Sequence, residues 1–515
     1  MKFLHLLLIF CAFLWSVESA NILAIFQFPF FSHQRFHQKV MQILLDEGHS
    51  VTVFSTHPHD YKDHPNATQY VFEDSVKIHS KYTDMLMYRK KKMHYSQILL
   101  QHEVKAYVEA AEHELSHPEL QRMIKNTSDY QFDLVVVECF VCTSLLFAEI
   151  FDCPVAIVSA IDAPYMFHKI MGNDVNPFKY SESLFMPYIH GHMSVSEKIN
   201  SFIFQLFHEF VFNAALIYNN LCLNYMHFSH LGLGVTKAPI DRIGLLMANT
   251  NHAFGHVRAL MPHSIQIGFT HVEKPKPISD LELKEYLDNS MNGVIIKALG
   301  STVNTKSLGI ENIKKFLDIF SKTKMNVLWK LDEIEEGLEI PHNVKIVSWL
   351  PLADALAHPN VKLLIFHGGI FTAYEAIDRG VPMIAFPLAY DQFMNARLMT
   401  HKGIAMEMDL NNFKDSDLSS AIQEMTKPKY AANVRKMRTL AYDQPINNRD
   451  LIVWHVNNLI KNRIVYSKDF GSLSYFGTPT RQFYAYLFAF LGLIYFIFKK
   501  IIKIVGNNGE KVKKL

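Results

Sequence analysis

The chain has 515 residues, of which 49% are hydrophobic and 19% charged, and a formal net charge of +2. That balance lacks the basic excess of a nucleic-acid binder, and five cysteines in so long a chain exclude a scaffold built on disulfides. Roughly 460 residues lie between two apolar terminal runs, enough for two domains.

In chain order, Met1-Lys2 precedes an apolar run from Phe3 to Trp15, and small or polar residues follow from Ser16 to Ala20. The run is too short to span a bilayer and reads as a secretory signal peptide over residues 1–20. Four cysteines remain after it, Cys139, Cys142, Cys153 and Cys222, and their spacing dictates no pairing. Sequons stand at Asn66-Ala67-Thr68 and Asn126-Thr127-Ser128, usable in a lumenal chain.

The first half, residues 21–270, opens with a strand over Ile22 to Phe26, then a loop and an amphipathic stretch from Phe36 to Glu47. Gly48 ends that helix, and Ser50 to Ser55 reads as a second strand. Asp133 to Val137 and Pro154 to Val158 are apolar enough to be buried strands. Strands alternating with helices predict a parallel, doubly wound sheet. Residues 195–223 are apolar and aromatic, but His208, Glu209 and Asn213 interrupt them. A buried helix is the favoured reading, with a membrane-grazing helix as the alternative.

A linker of proline and lysine, His271 to Pro277, leads into a second half over residues 271–470. Strand candidates there are Val294–Leu299, Asn326–Lys330, Val344–Val347, Leu363–Phe366 and Met383–Phe386. The expected fold is α/β: two facing Rossmann-like domains with a cleft between them.

Residues 348–397 carry most of the chemistry. A strand ends in His367-Gly368-Gly369 and a helix begins there. Glycines let backbone amides approach a ligand closely, and amides at a helix start favour a pyrophosphate. Glu375, further into that helix, can accept hydrogen bonds from ribose hydroxyls. Asp391-Gln392 follows another strand end, where ligands bind in open α/β sheets, and a carboxylate with an amide suits vicinal sugar hydroxyls.

Together with Trp349-Leu350-Pro351, Gly380-Val381-Pro382 and Pro387, this order and spacing resembles the signature of the UDP-glycosyltransferase superfamily. The resemblance covers nearly the whole chain and implies a GT-B fold, with an acceptor-binding domain followed by a UDP-sugar-binding domain. It implies no metal and no cofactor, the UDP-sugar being a co-substrate. Gly300-Ser301, His367 and Gly369 then resemble the diphosphate contacts, with the Thr372 hydroxyl close by. Trp349 resembles the residue that stacks on uracil, Glu375 the ribose ligand, and Asp391 with Gln392 the pair that holds the donor sugar. In the first domain Ser32-His33 resembles the catalytic Ser-His, with His37 a nearby competitor. Glu138, after Phe132-Asp133-Leu134, stands where an Asp is usual, so the extra methylene puts its geometry in question. A carboxylate hydrogen-bonded to an imidazole fixes its tautomer and stabilises the cation that forms.

Three positions depart from the family pattern: Leu352 in place of a Gln, Phe366 in place of a small hydroxyl residue, and Phe371 where Asn or Leu is frequent. They leave a second class of function open, a catalytically impaired binder of lipophiles or UDP-sugar. The favoured expectation is an inverting hexosyltransferase that moves sugar, glucose rather than glucuronate, from UDP to a hydroxyl of a small lipophilic acceptor.

The chain closes with an apolar run, Phe483 to Phe498, extendable through Ile502 and flanked by Arg481 on one side and Lys499, Lys500 and Lys503 on the other. Roughly 20 residues cross a bilayer as a helix, so 482–502 is expected to be a single-pass transmembrane helix, with the cationic tail 503–515 in the cytosol. Lys511 and Lys513, fifth and third from the end, resemble a dilysine retrieval signal. The expected address is the endoplasmic reticulum membrane, type I, with the body lumenal. Expected partners are the membrane, the UDP-sugar and the acceptor, and no nucleic acid; homo-oligomer formation stays open.

Overall fold

A computed structural model describes residues 19–82, 104–140, 142–182, 186–189, 192–223, 239–255, 258–300, 308–331 and 337–463, with single residues 91, 102, 184 and 499. The signal peptide, Ser301, the apolar run 482–502 and the lysine tail lie outside them, apart from Lys499.

The first sheet has seven strands: β1 (Asn21–Phe26), β2 (Ser50–Ser55), β3 (Ala67–Val71), β4 (Leu134–Glu138), β5 (Val155–Ser159), β6 (Ile243–Ala248) and β7 (Ser264–Gln266). Their order is β3-β2-β1-β4-β5-β6-β7, and the pairings are parallel. Strands such as Leu134–Glu138 and Ile243–Ala248 are buried along their whole length, as interior parallel strands covered on both faces must be. The second sheet has six: β8 (Val294–Ala298), β9 (Asn326–Lys330), β10 (Val344–Val347), β11 (Val361–Phe366), β12 (Met383–Ala385) and β13 (Ala405–Glu407), ordered β10-β9-β8-β11-β12-β13 and again parallel. Strands β3, β6, β7 and β13 were not expected from the sequence pattern.

Each sheet reverses its order once, between β1 and β4 in the first and between β8 and β11 in the second. Such switch points open crevices at the carboxyl ends of the strands. Ile25 pairs in register with Val137, and Ala298 with Phe366. His33, Glu138, Gly300, His367 and Gly369 lie at or just after the ends of these four strands, while Trp349 follows β10 and Asp391 with Gln392 follows β12.

The helices that matter for the site are α1 (Phe31–Asp46), α2 (Val104–Leu115), α3 (Val195–Leu223), α4 (Ile310–Ser321), α5 (Ile370–Arg379), α6 (Gln392–His401), α7 (Pro428–Tyr442) and α8 (Asn448–Asn462). A division at residue 270 does not describe α8. Its Ile452, Val456 and Leu459 pack into the core of the first sheet, and Arg449 binds Asp46 at 2.8 Å and Glu47 at 2.6 Å. The chain thus returns to its first domain after completing the second.

The buried-helix reading is also corrected over residues 195–211, the part of the helix whose side chains are described. Phe204 and Gln205 are buried, but Val195, Ile199, Ile203 and Phe210 are exposed, and their spacing puts them along one side of α3. Apolar content could not distinguish a buried helix from one with an uncovered stripe. Among the described residues no helix is long and apolar enough to cross a membrane.

Candidate active site

His33 lies in the first turn of α1, and Glu138 is the last residue of β4. Because β1 and β4 are neighbours, the start of α1 sits over the end of β4. The His33 Nδ1 is 2.8 Å from the Glu138 Oε1, with both side chains buried. The extra methylene of Glu138 is therefore compatible with the contact. Gln34 fixes the approach by donating its side-chain N–H to the carbonyls of Phe26 and Phe28.

Behind this loop Gln27 donates to Glu114 of α2 at 2.7 Å and accepts from the hydroxyls of Thr143 and Ser144. Aromatic rings surround His33: Phe28 at 4.8 Å between centroids, Phe140 at 5.7 Å, Phe30 at 5.9 Å and Phe371 of the second domain at 6.3 Å. His37, the competitor in sequence, is fully buried and stacks on Phe26, so it does not reach the cleft.

Burial controls the charges here. It lowers His33 to about 4, with Asp391 across the cleft pulling the other way, and raises Glu138 well above the usual carboxylate range. Burial also raises Asp391 to about 6, opposed by its hydrogen bond from Asn395 and by His33. His33, Glu138 and Asp391 thus meet at one place, drawn from both domains.

The opposite wall is made of backbone. His367 follows β11, and its imidazole is sandwiched between two glycines. A Cβ at Gly300 would stand 2.7 Å from the ring and one at Gly369 2.5 Å from it; Gly300 also holds φ +84°. Both positions need glycine for that reason. Burial lowers His367 to about 4, and its Nδ1 has no hydrogen-bond partner among the described residues.

Helix α5 begins beside His367 with Gly369 as N-cap, no side-chain cap and no acidic residue in its first turn. Its first amides are uncompensated within the helix, which suits an anion such as a diphosphate. Thr372 is in that first turn, and Glu375 lies one turn further on. Burial raises Glu375 to about 7, with Arg379 and then Arg35 of α1 opposing it. Trp349 presents its ring at 72% exposure, available for stacking.

Gln392 also has a structural contact. Its side-chain carbonyl accepts from the N–H groups of Leu388 and Ala389, so that oxygen braces the loop. Asn395, which the sequence reading missed, donates to Asp391 at 2.7 Å and to the Gly368 carbonyl at 3.1 Å. It joins the loops that follow β11 and β12; its signal was the four-residue spacing from Asp391 on one helix face. Tyr390, just before Asp391, holds a left-handed φ of 53°, a strained backbone of the kind found at functional sites.

The three departures from the family pattern turn their side chains to apolar surroundings. Phe366 is fully buried in the core of the second domain, and Leu352 packs against that core. Phe371 packs against both cores, with its ring 5.9 Å from Phe36 and 4.7 Å from His271.

Two facing parallel sheets with a cleft between their switch points define the fold of a GT-B glycosyltransferase. Solved structures agree. The glycosyltransferase VinC in complex with dTDP is 16% identical, with a TM-score of 0.59 over 86% of this chain and 100% of that one. A UDP-glucosyltransferase from Polygonum tinctorium is 12% identical, with a TM-score of 0.58 over 87% of this chain and 99% of that one. Residues 24–465 match the family described as UDP-glucoronosyl and UDP-glucosyl transferase, and the chain belongs to that family. It is similar to UDP-glucosyltransferase 2 of Dactylopius coccus, 29% identical over 89% of this chain and 88% of the relative. It is also similar to UDP-glucuronosyltransferase 2B10 of Homo sapiens, 27% identical over 67% of this chain and 64% of the relative. The protein is a UDP-glycosyltransferase.

Proposed function

We propose that this enzyme transfers a hexosyl group, glucose in preference to glucuronate, from UDP to a hydroxyl of a small lipophilic acceptor, with inversion. The observation that carries the reading is the His33–Glu138 contact opening toward Asp391 among aromatic rings.

The Nε2 of His33 takes the proton of the acceptor hydroxyl while Nδ1–H is held by the Glu138 carboxylate. The acceptor oxygen attacks the anomeric carbon, and the bond from that carbon to the diphosphate oxygen breaks. UDP leaves with the electron pair, and the α-linked donor gives a β-glycoside. His367, the amides at the start of α5, Ser301 and Thr372 hold the diphosphate. Trp349 stacks on uracil, Glu375 binds ribose, and Asp391 with Gln392 holds the sugar. The aromatic wall around His33 supports a planar, apolar acceptor such as a phenol. The preference for glucose is supported by relatives named UDP-glucosyltransferase.

In the same reading the signal peptide directs the body into the lumen, the run 482–502 anchors it in the membrane, and the lysine tail retrieves it to the endoplasmic reticulum. Full-length protein in sealed microsomes, given a phenol and labelled UDP-glucose, is expected to release UDP in an acceptor-dependent way that detergent increases. Faster release from UDP-glucuronate would overturn the donor assignment, and activity indifferent to detergent would overturn the lumenal one.

A further inference from the structure

Glu138 faces two histidines. His37 follows His33 by four residues on α1, so both project from the same side of the helix. Its imidazole stacks on Phe26, centroids 4.2 Å apart and planes 14° from parallel. Its Nε2 lies 3.7 Å from Oε1 of Glu138, the same oxygen that His33 contacts. Neither ring nitrogen of His37 has a hydrogen-bond partner among the described residues, and neither does Oε2 of Glu138. Buried polar groups are nearly always paired, and a phenylalanine would fill a stacked core position without desolvating two nitrogens. Packing alone therefore does not account for a histidine here.

We propose that His37 is a positioning residue that acts through Glu138, its Nε2–H holding the carboxylate ionised and aimed at the Nδ1–H of His33. The inference rests on the reading of His33 as the base. To accept a proton at Nε2, His33 must carry its own ring proton on Nδ1. A protonated Glu138 would instead donate to Nδ1 and leave the ring proton on Nε2, where it blocks the acceptor hydroxyl. Keeping Glu138 ionised is thus the same as keeping His33 in its competent tautomer.

Burial works against that, since it raises Glu138, and the backbone N–H of Phe28 opposes it. Glu114 of α2, which accepts from Gln27, lies within electrostatic reach of Glu138, while Asp391 faces His33 from the other domain. A second nearby donor would offset the burial further. His37 is suited to donate without charging, because burial, then His33 and His59, hold it far below its ordinary value. The 3.7 Å separation is longer than a hydrogen bond, and such contacts tighten when charge develops in the loaded site.

The test uses the full-length enzyme with His37→Phe, which keeps the stacking on Phe26 and removes the donor. The expected result is a fall in kcat of about tenfold, the effect of taking one hydrogen bond from a charged acceptor. The acid limb of kcat should move up by about one pH unit, since Glu138 then protonates more readily. KM for the UDP-sugar should be unchanged and Tm unchanged or higher. His37→Gln, which can return an N–H toward Glu138, should recover part of kcat and move the limb back. A His37→Phe enzyme with wild-type kcat and pH profile overturns the proposal, as does an equal loss in both variants with a lowered Tm. His33→Ala separates the two ideas. If it retains turnover, the base reading itself falls; if it abolishes turnover while His37→Phe does not, only the role of His37 falls.

Discussion

The two walls of the cleft are built from different materials. On the proposed acceptor side, at the ends of β1 and β4, side chains dominate: a buried histidine, a buried carboxylate and a set of aromatic rings, on a loop that Gln34 braces. On the proposed donor side, at the ends of β8 and β11, backbone shapes the cradle: glycines around His367 and the first amides of α5. A wall of side chains can be altered one group at a time, with chemistry lost and binding kept. A wall of backbone leaves no room for an added atom, so a single methyl group disturbs the whole cradle.

The largest expected effect tests the first half of that contrast. A positioned general base contributes roughly 10²–10⁴-fold in rate. His33→Ala should lower kcat by that much, while UDP affinity measured by calorimetry stays within about twofold, well under the 1.4 kcal/mol that a tenfold change represents. The pH profile sharpens the point. The competent state has His33 neutral and Glu138 ionised; burial keeps His33 neutral down to about 4 but raises Glu138. Falling pH therefore protonates Glu138 first, and kcat should fall with it. Glu138→Gln should give a low rate without that acid limb; a limb that persisted would assign the titration elsewhere.

Gly369→Ala tests the donor wall. The new methyl would lie 2.5 Å from the His367 ring, and either the ring or the helix start must move. Strain of the order of 1–3 kcal/mol corresponds to about 5–150-fold, expected here as weaker UDP binding. A loss confined to kcat with UDP affinity intact would erase the distinction between the walls.

The smallest effect on activity is expected at Lys297, a control for both walls. It lies on β8, fully buried, with its ammonium 3.9 Å from the Phe316 ring centroid of α4 and 4.9 Å from that of Trp329. Its Nζ has no hydrogen-bond partner among the described residues, and burial lowers it to about 7. Between pH 7 and the ordinary lysine value of about 10.4, the unfolded chain binds more protons, so stability should rise with pH across that window. Below it the cost of the buried charge is fully present, offset in part by the rings. Lys297→Met should remove this dependence and raise Tm at neutral pH, with a gain of the order of 1–4 kcal/mol as in other replacements of buried charge. A lowered Tm would mean that the ring contacts outweigh the desolvation.

Much of the donor wall was legible in sequence because its residues are close together along the chain. His367, Gly369, Thr372 and Glu375 belong to one strand–turn–helix unit, and local spacing sets local geometry. The acceptor wall was less legible. His33 and Glu138 are 105 positions apart, and their partnership was expected only from resemblance to a family. The roles of Phe371 and Leu352 were obscure for a different reason. A sequence shows that a polar residue is missing, but not that its replacement packs against a core.

Strand periodicity and signature spacing by themselves pointed to a two-domain α/β chain, and the resemblance to a family placed the proposed nucleotide-sugar site in its second half, because these depend on short-range pattern. Tertiary structure alone decided that α8 returns to the first domain, that the described part of α3 exposes an apolar stripe, and that His37 stands behind Glu138 while His33 faces the cleft. Each of these is a contact between segments distant in the chain, or the lack of a cover for one face. Apolar patterning fixes that a face prefers burial, but only the packed fold fixes what, if anything, lies against it.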